Sequence, residues 1–157
     1  MALYHVAQLN VARPRYPLDH PAIAEFIAAL PEINALADGA PGFVWRLRDD
    51  DGQNATSLRP FGPDIMLNMS VWESIGALRD YLYRSRHLDF LRRRHEWFRY
   101  DDLNAHVVLW WVPAGEIPLP SRRGNAWRDS PTAGRGRWRS RSASRTRRRS
   151  PRPSQFP

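Results

Sequence analysis

Residues Tyr4 to Val11 place Tyr4, Val6, Gln8 and Asn10 on one side and His5, Ala7, Leu9 and Val11 on the other, the period of a β-strand. A turn-rich stretch, Arg13 to Pro17, follows. Asp19 is then placed to cap a helix with Pro21 in its first turn and Ile23, Phe26, Ile27 and Leu30 along one side. Pro31 lacks a backbone donor and predicts a kink or break. The apolar stripe resumes at Ile33, Leu36 and Ala37 and stops at Gly39, a residue suited to a C-terminal cap.

A second strand is predicted from Gly42 to Arg48, with Asp50-Asp51-Gly52 as a turn and an extra short strand around Thr56 to Arg59. From Ile65 to Trp72 the alternation is clear: Ile65, Leu67, Met69 and Val71 share one face, Met66, Asn68, Ser70 and Trp72 the other. Ser74 starts a helix bearing Ala77, Leu78, Tyr81 and Leu82. A continuation bent near Ser85 carries Leu88, Leu91, His95 and Phe98. A last strand runs from His106 to Val112 and ends at Pro113-Ala114-Gly115.

The resulting order, β-α-β-β-α-β, predicts an α+β ferredoxin-like sandwich. Two helices cover one sheet face, and Trp110 beside Trp111 presents a large aromatic to each side of the last strand. Pairing of two copies through the open face, as a homodimer, is the economical way to cover it.

Composition narrows the chemistry. The 157 residues contain no cysteine, which excludes disulfides, thiolate metal sites and Cys nucleophiles and suits the cytoplasm. All 24 basic residues are arginine, so Schiff-base lysine chemistry and a P-loop lysine are absent too. The N-terminal stretch lacks the pattern of a secretory signal, and no apolar run reaches the ~18 residues of a membrane span. The net charge of +8 is unevenly placed: residues 1–120 hold 12 Arg against 15 Asp and Glu, whereas residues 121–157 hold 12 Arg against Asp129 alone. Two regions are expected, a folded domain over 1–118 and a disordered Arg/Ser/Pro-rich tail over 119–157. For the tail three readings stand: a frame-shifted end, since G- and C-rich coding sequence read out of frame yields such a composition; an inert extension; and, least favoured, an arm that binds nucleic acid through phosphate attraction and stacking.

The stretches HVAQLNVAR (5–13), GFVWRL (42–47), NMSVWES (68–74) and WWVPAGEIP (110–118), with YRSRH at 83–87, resemble a bacterial domain-of-unknown-function family of the dimeric α/β-barrel superfamily. Its better-known relatives are the antibiotic-biosynthesis monooxygenases. The resemblance implies the fold and the dimer. It implies less about chemistry, because the superfamily spans cofactor-independent oxygenases, haem-handling enzymes, isomerases and non-catalytic binders. Haem-degrading members use an Asn on the first strand with a Trp and a His around the second helix. Asn10, Trp72 and His87 are the same residue types on comparable elements, at a spacing that does not correspond residue by residue.

Strand-face arithmetic supplies the candidate site. Gln8 and Asn10 share a face of the first strand, and Asn68, Ser70 and Trp72 share a face of the strand predicted beside it. Buried amides and hydroxyls need partners, at ~1–3 kcal/mol for each one unpaired, so they either bind a polar ligand or satisfy one another or a second subunit. In the ligand reading Gln8, Asn10, Asn68 and Ser70 orient a flat phenolic or quinone-type substrate, Trp45 and Trp72 sandwich it, and His87 or Tyr83 assists proton transfer without a tightly bound cofactor. The alternative is a non-catalytic ligand-binding or stress-associated module, in which His87 is a helix-end histidine bonded to solvent or backbone. His87 and His95 are too far apart along a helix to chelate one ion, no His-Glu-x-x-His pattern occurs and Asp49 to Asp51 read as a solvated turn, so no metal is expected. Arg92, Arg93 and Arg94 read as a solvated face.

Overall fold

The computed structural model describes residues 3–101, 103 and 106–118. The tail from 119 onward, with its three readings, lies outside the described residues. The elements are β1 (Tyr4–Pro14), a 3-10 turn (Pro21–Ile23), α1 (Ala24–Asp38), β2 (Phe43–Arg46), β3 (Met66–Trp72), α2 (Ile75–Arg84), α3 (His87–Trp97), β4 (Phe98–Arg99) and β5 (Val107–Pro113). β1 is central: it pairs antiparallel with β3 on one edge, in register Val6↔Trp72, Gln8↔Ser70, Asn10↔Asn68 and Ala12↔Met66. β5 pairs with β1 through Gln8↔Leu109 and Asn10↔Val107, and β2 pairs with β3. The spatial order β2-β3-β1-β5 with all helices on one face is the ferredoxin-like fold.

Several local expectations are corrected. Asp19 does not cap the first helix. Pro21 starts a 3-10 turn there, capped by His20, whose Nδ1 accepts from the Ala22 N–H at 3.1 Å, and α1 begins only at Ala24, with Ile23 at its N-cap and no side-chain cap bond. Pro31 lies inside α1 without ending it. The turns on either side are anchored, Phe26 and Ile27 packing with Ile23 and Trp97 and Ala37 packing with Val6 and Trp72, so one lost hydrogen bond does not break the element. No strand forms at Thr56 to Arg59; the connection is held instead by turns, including Leu58 N–H to Ala55 at 3.1 Å and Thr56 N–H to the Asn54 side chain at 2.8 Å. Phe98 leaves the helix stripe to pair, as part of β4, with Pro14 of β1.

The break between α2 and α3 falls at Ser85. Its hydroxyl donates to the Tyr81 carbonyl at 2.6 Å and accepts from the His87 N–H at 3.1 Å, which ends one helix and starts the next.

Two apolar clusters bracket the sheet's helix-facing side. Val6, Trp72, Ala37 and Leu78 form one, and Ile23, Met66, Trp97 and Phe98 the other. Gly42 lets the chain enter β2 against α2: its φ is 76°, and a Cβ there would lie 2.7 Å from Ala77 Cβ.

Candidate functional site

Between those clusters the alternation of β1 and β3 delivers Gln8, Asn10, Asn68 and Ser70 to the helix side. A cavity of about 220 Å³ opens there between sheet and helices. Gln8 and Ser70 are buried, Asn10 is half-buried and Asn68 is exposed.

A directional hydrogen-bond chain orders its floor. The Trp72 indole Nε1–H donates to Ser70 Oγ at 2.9 Å, so the single Ser70 proton goes to Gln8 Oε1 at 3.2 Å. That leaves the Gln8 NH2 as the donor presented to the cavity. The polar groups thus satisfy one another in part, with a donor and the two Asn side chains left over.

Tyr81 and His87 close the same end. The Tyr81 ring stacks on Trp72, centroids 4.9 Å apart at 26°, and lies 4.8 Å from the His87 ring. The Tyr81 hydroxyl donates to the Ile33 carbonyl at 3.3 Å, and burial raises its pKa far above the ordinary phenol value, so it remains protonated. His87 Nδ1 is buried without a partner, and burial, opposed by the Leu82 backbone, lowers the His87 pKa from 6.5. At neutral pH the ring is neutral.

Not all expected residues gather here. Trp45 pairs with Val71, and Val71 and Trp72 are successive strand residues on opposite faces. Trp45 therefore packs with Leu47, Leu67 and Met69 on the far side of the sheet and cannot sandwich anything with Trp72. Tyr83 is exposed at 55% and is absent from the cavity wall, because two helical positions rotate it away from Tyr81, which takes the place expected of it.

Sequence reasoning also missed residues. Arg46 is buried on the cavity wall, its guanidinium paired with Asp38 at 2.8 and 3.2 Å and donating to the Gln53 carbonyl at 2.8 Å. The three arginines of α3 are solvated, as expected, but differ in their contacts: Arg93 grips Glu25 at 2.6 and 2.8 Å, bridges to Glu96 and lies over the Trp97 ring, whereas the exposed Arg94 lines the cavity. Tyr100 and His106 line it as well, ring centroids 4.8 Å apart. The available signal was spacing: His87 and Arg94 are seven apart and share a helix face.

Among the described residues no three His, Cys, Asp or Glu side chains gather into a candidate metal site. No helix among them is long and apolar enough to cross a membrane.

Fold and site together define a ferredoxin-like α+β domain with an amide-floored cavity under its helices. Residues 5–124 match the family described as a domain of unknown function (DUF3291), and the chain belongs to that family. Comparison with curated proteins finds no match. Among solved structures the chain is similar to a protein of unknown function from Nitrosomonas europaea (14% identity, 77% of this chain and 99% of that one, TM-score 0.43). It is also similar to SnoaB, a cofactor-independent oxygenase from Streptomyces nogalater (21% identity, 74% and 98%, TM-score 0.42). A third is a monooxygenase of Streptomyces coelicolor in complex with nanaomycin D (16% identity, 76% and 94%, TM-score 0.36).

Proposed function

We propose that this domain is a small-molecule enzyme that oxidises a phenolic or quinone-type substrate with dioxygen, without a tightly bound cofactor, as a cytoplasmic homodimer. The observation that carries the reading is the His87 imidazole on the cavity wall, kept neutral by burial, beside the stacked Trp72–Tyr81 pair. A substrate ring packs on that wall, with edge and face contacts worth ~0.5–1.5 kcal/mol beyond burial. Neutral His87 accepts the phenolic proton, and the Gln8 NH2 and Asn10 donate to the oxygen that becomes negative, with Asn68 at the open side. Ser70 acts by orienting Gln8. The phenolate, more easily oxidised than the phenol, reduces dioxygen: one phenol and one O2 give one quinone and one water, the ring supplying all four electrons.

The dimer rests on the opposite sheet face. Leu9, Val11, Trp45, Val108 and Trp110 are all half-buried there, only partly covered by the 47–65 connection. A second copy placed on that face would bury them.

Oxygen uptake and calorimetric binding with a series of phenols and hydroquinones test the proposal. Asn10→Ala with Asn68→Ala is expected to abolish binding at unchanged thermal stability. His87→Asn is expected to keep binding within a few-fold and to lower oxygen uptake by about 100-fold. Unchanged affinity in the Asn double variant would refute the assigned pocket. Binding without oxygen uptake by the wild type would leave a non-catalytic binding module.

A further inference from the structure

Among the described residues, charge in the cavity wall is of one sign: neither Asp nor Glu lines it, and of the two arginines that do, Arg46 is neutralised by Asp38. Arg94 is exposed and has no carboxylate partner among the described residues, its Nη1 donating to the Leu91 carbonyl at 2.6 Å. Its field reaches Tyr100, whose pKa burial raises and Arg94 opposes, and Tyr100 in turn packs on His106. The end of the cavity opposite the Trp72–Tyr81 wall is therefore cationic.

α3 sets the distance between the two ends. His87, Phe90, Leu91 and Arg94 all line the cavity, the i, i+3, i+4, i+7 stripe of one helix face. Seven residues rise about 10 Å. A single ring substituted at opposite ends spans that once a hydrogen bond of about 3 Å is added at each end. Volume agrees: a dry cavity of about 150 Å³ holds one benzene, so 220 Å³ has room for one ring with two polar substituents and not for three fused rings.

We infer that the site takes a monoanionic single-ring aromatic acid, its hydroxyl at His87 and its carboxylate at Arg94 with His106 alongside. This inference rests on the cavity being the ligand site proposed above. Binding of 4-hydroxybenzoate, the neutral isostere 4-hydroxybenzamide and a three-ring phenol is compared by calorimetry on the full chain at neutral pH. The Arg-rich segment after residue 118 attracts anions through its own charge, so the decisive comparison is between wild type and Arg94→Gln, which carry the same segment.

The acid is expected to bind the wild type at least about tenfold tighter than the amide, the worth of one charge-assisted contact. The three-ring phenol is expected not to bind. Arg94→Gln should bring acid and amide within about twofold while leaving the amide unchanged, and Arg94→Lys should restore part of the preference. An amide that binds the wild type as tightly as the acid, or an acid preference that survives Arg94→Gln, overturns the inference and leaves the pocket standing. If the acid, the amide and phenol itself all fail to bind, the pocket falls with it.

Discussion

The two faces of the central sheet are built from the same strands and carry opposite designs. Toward the helices, β1 and β3 read apolar at both ends and polar in the middle: Val6 and Trp72, then Gln8, Ser70, Asn10 and Asn68, then Ala12 and Met66. Away from the helices the same strands read apolar throughout, with Ala7, Leu9 and Val11 opposite Val71, Met69 and Leu67. Helix packing against the first face is thereby confined to two clusters with a cavity between them. The second face keeps a continuous apolar surface that one loop covers in part. A row of amides under a helical layer forfeits packing in order to keep a space open, whereas an unbroken apolar face asks for a cover.

Substitutions at Trp72 test this contrast most severely. Trp72 is fully buried, stacks on Tyr81, meets Phe43 edge-on and starts the hydrogen-bond chain to Gln8. Trp72→Ala should cost about 3–5 kcal/mol in denaturant unfolding. A loss below about 1 kcal/mol would mean that the cluster at that end is not what holds the helices to the sheet.

A smaller and different effect is expected on the other face. Val108→Glu, opposite Leu9 and half-buried, should leave the fold intact and convert a dimer to a monomer in sedimentation experiments. A wild-type chain that is already monomeric would remove the dimer from the proposal.

The smallest effect concerns His87. Because burial lowers its folded pKa below the ordinary 6.5, the unfolded chain takes up the proton first as pH falls. Its contribution to stability is complete above pH ~6.5 and is lost as pH drops toward the folded value. His87→Phe should therefore flatten the melting-temperature profile between about pH 7.5 and 5.5, and an unchanged acid slope would show that the imidazole is not desolvated as described.

Much of the fold was legible along the chain. The period-2 runs at 4–11 and 65–72 and the helical stripe before Gly39 record which residues must leave water, and that requirement acts locally, so the element order and the polar strand face could be read directly. Ser85 announced its helix break for the same reason, since a hydroxyl competes for backbone partners close in sequence. Asp19 misled, and Pro31 did not interrupt its helix, because capping is a weak preference and even the ~3 kcal/mol cost of an interior proline can be outweighed by tertiary contacts on either side of it.

What only the tertiary structure decided was which side chains meet. Trp45 and Trp72 looked like partners by residue type, yet the register of β2 on β3 sends them to opposite faces. Tyr81 was indistinguishable from ordinary helix core until Trp72 and His87 were seen on either side of it. Arg46, Arg93 and Arg94 are alike in sequence and differ entirely in place: one neutralised in the wall, one tying α3 to α1, one left charged at the cavity. Periodicity carries burial, a property of single positions, whereas a site is set by distances between positions far apart in the chain, which no local pattern encodes.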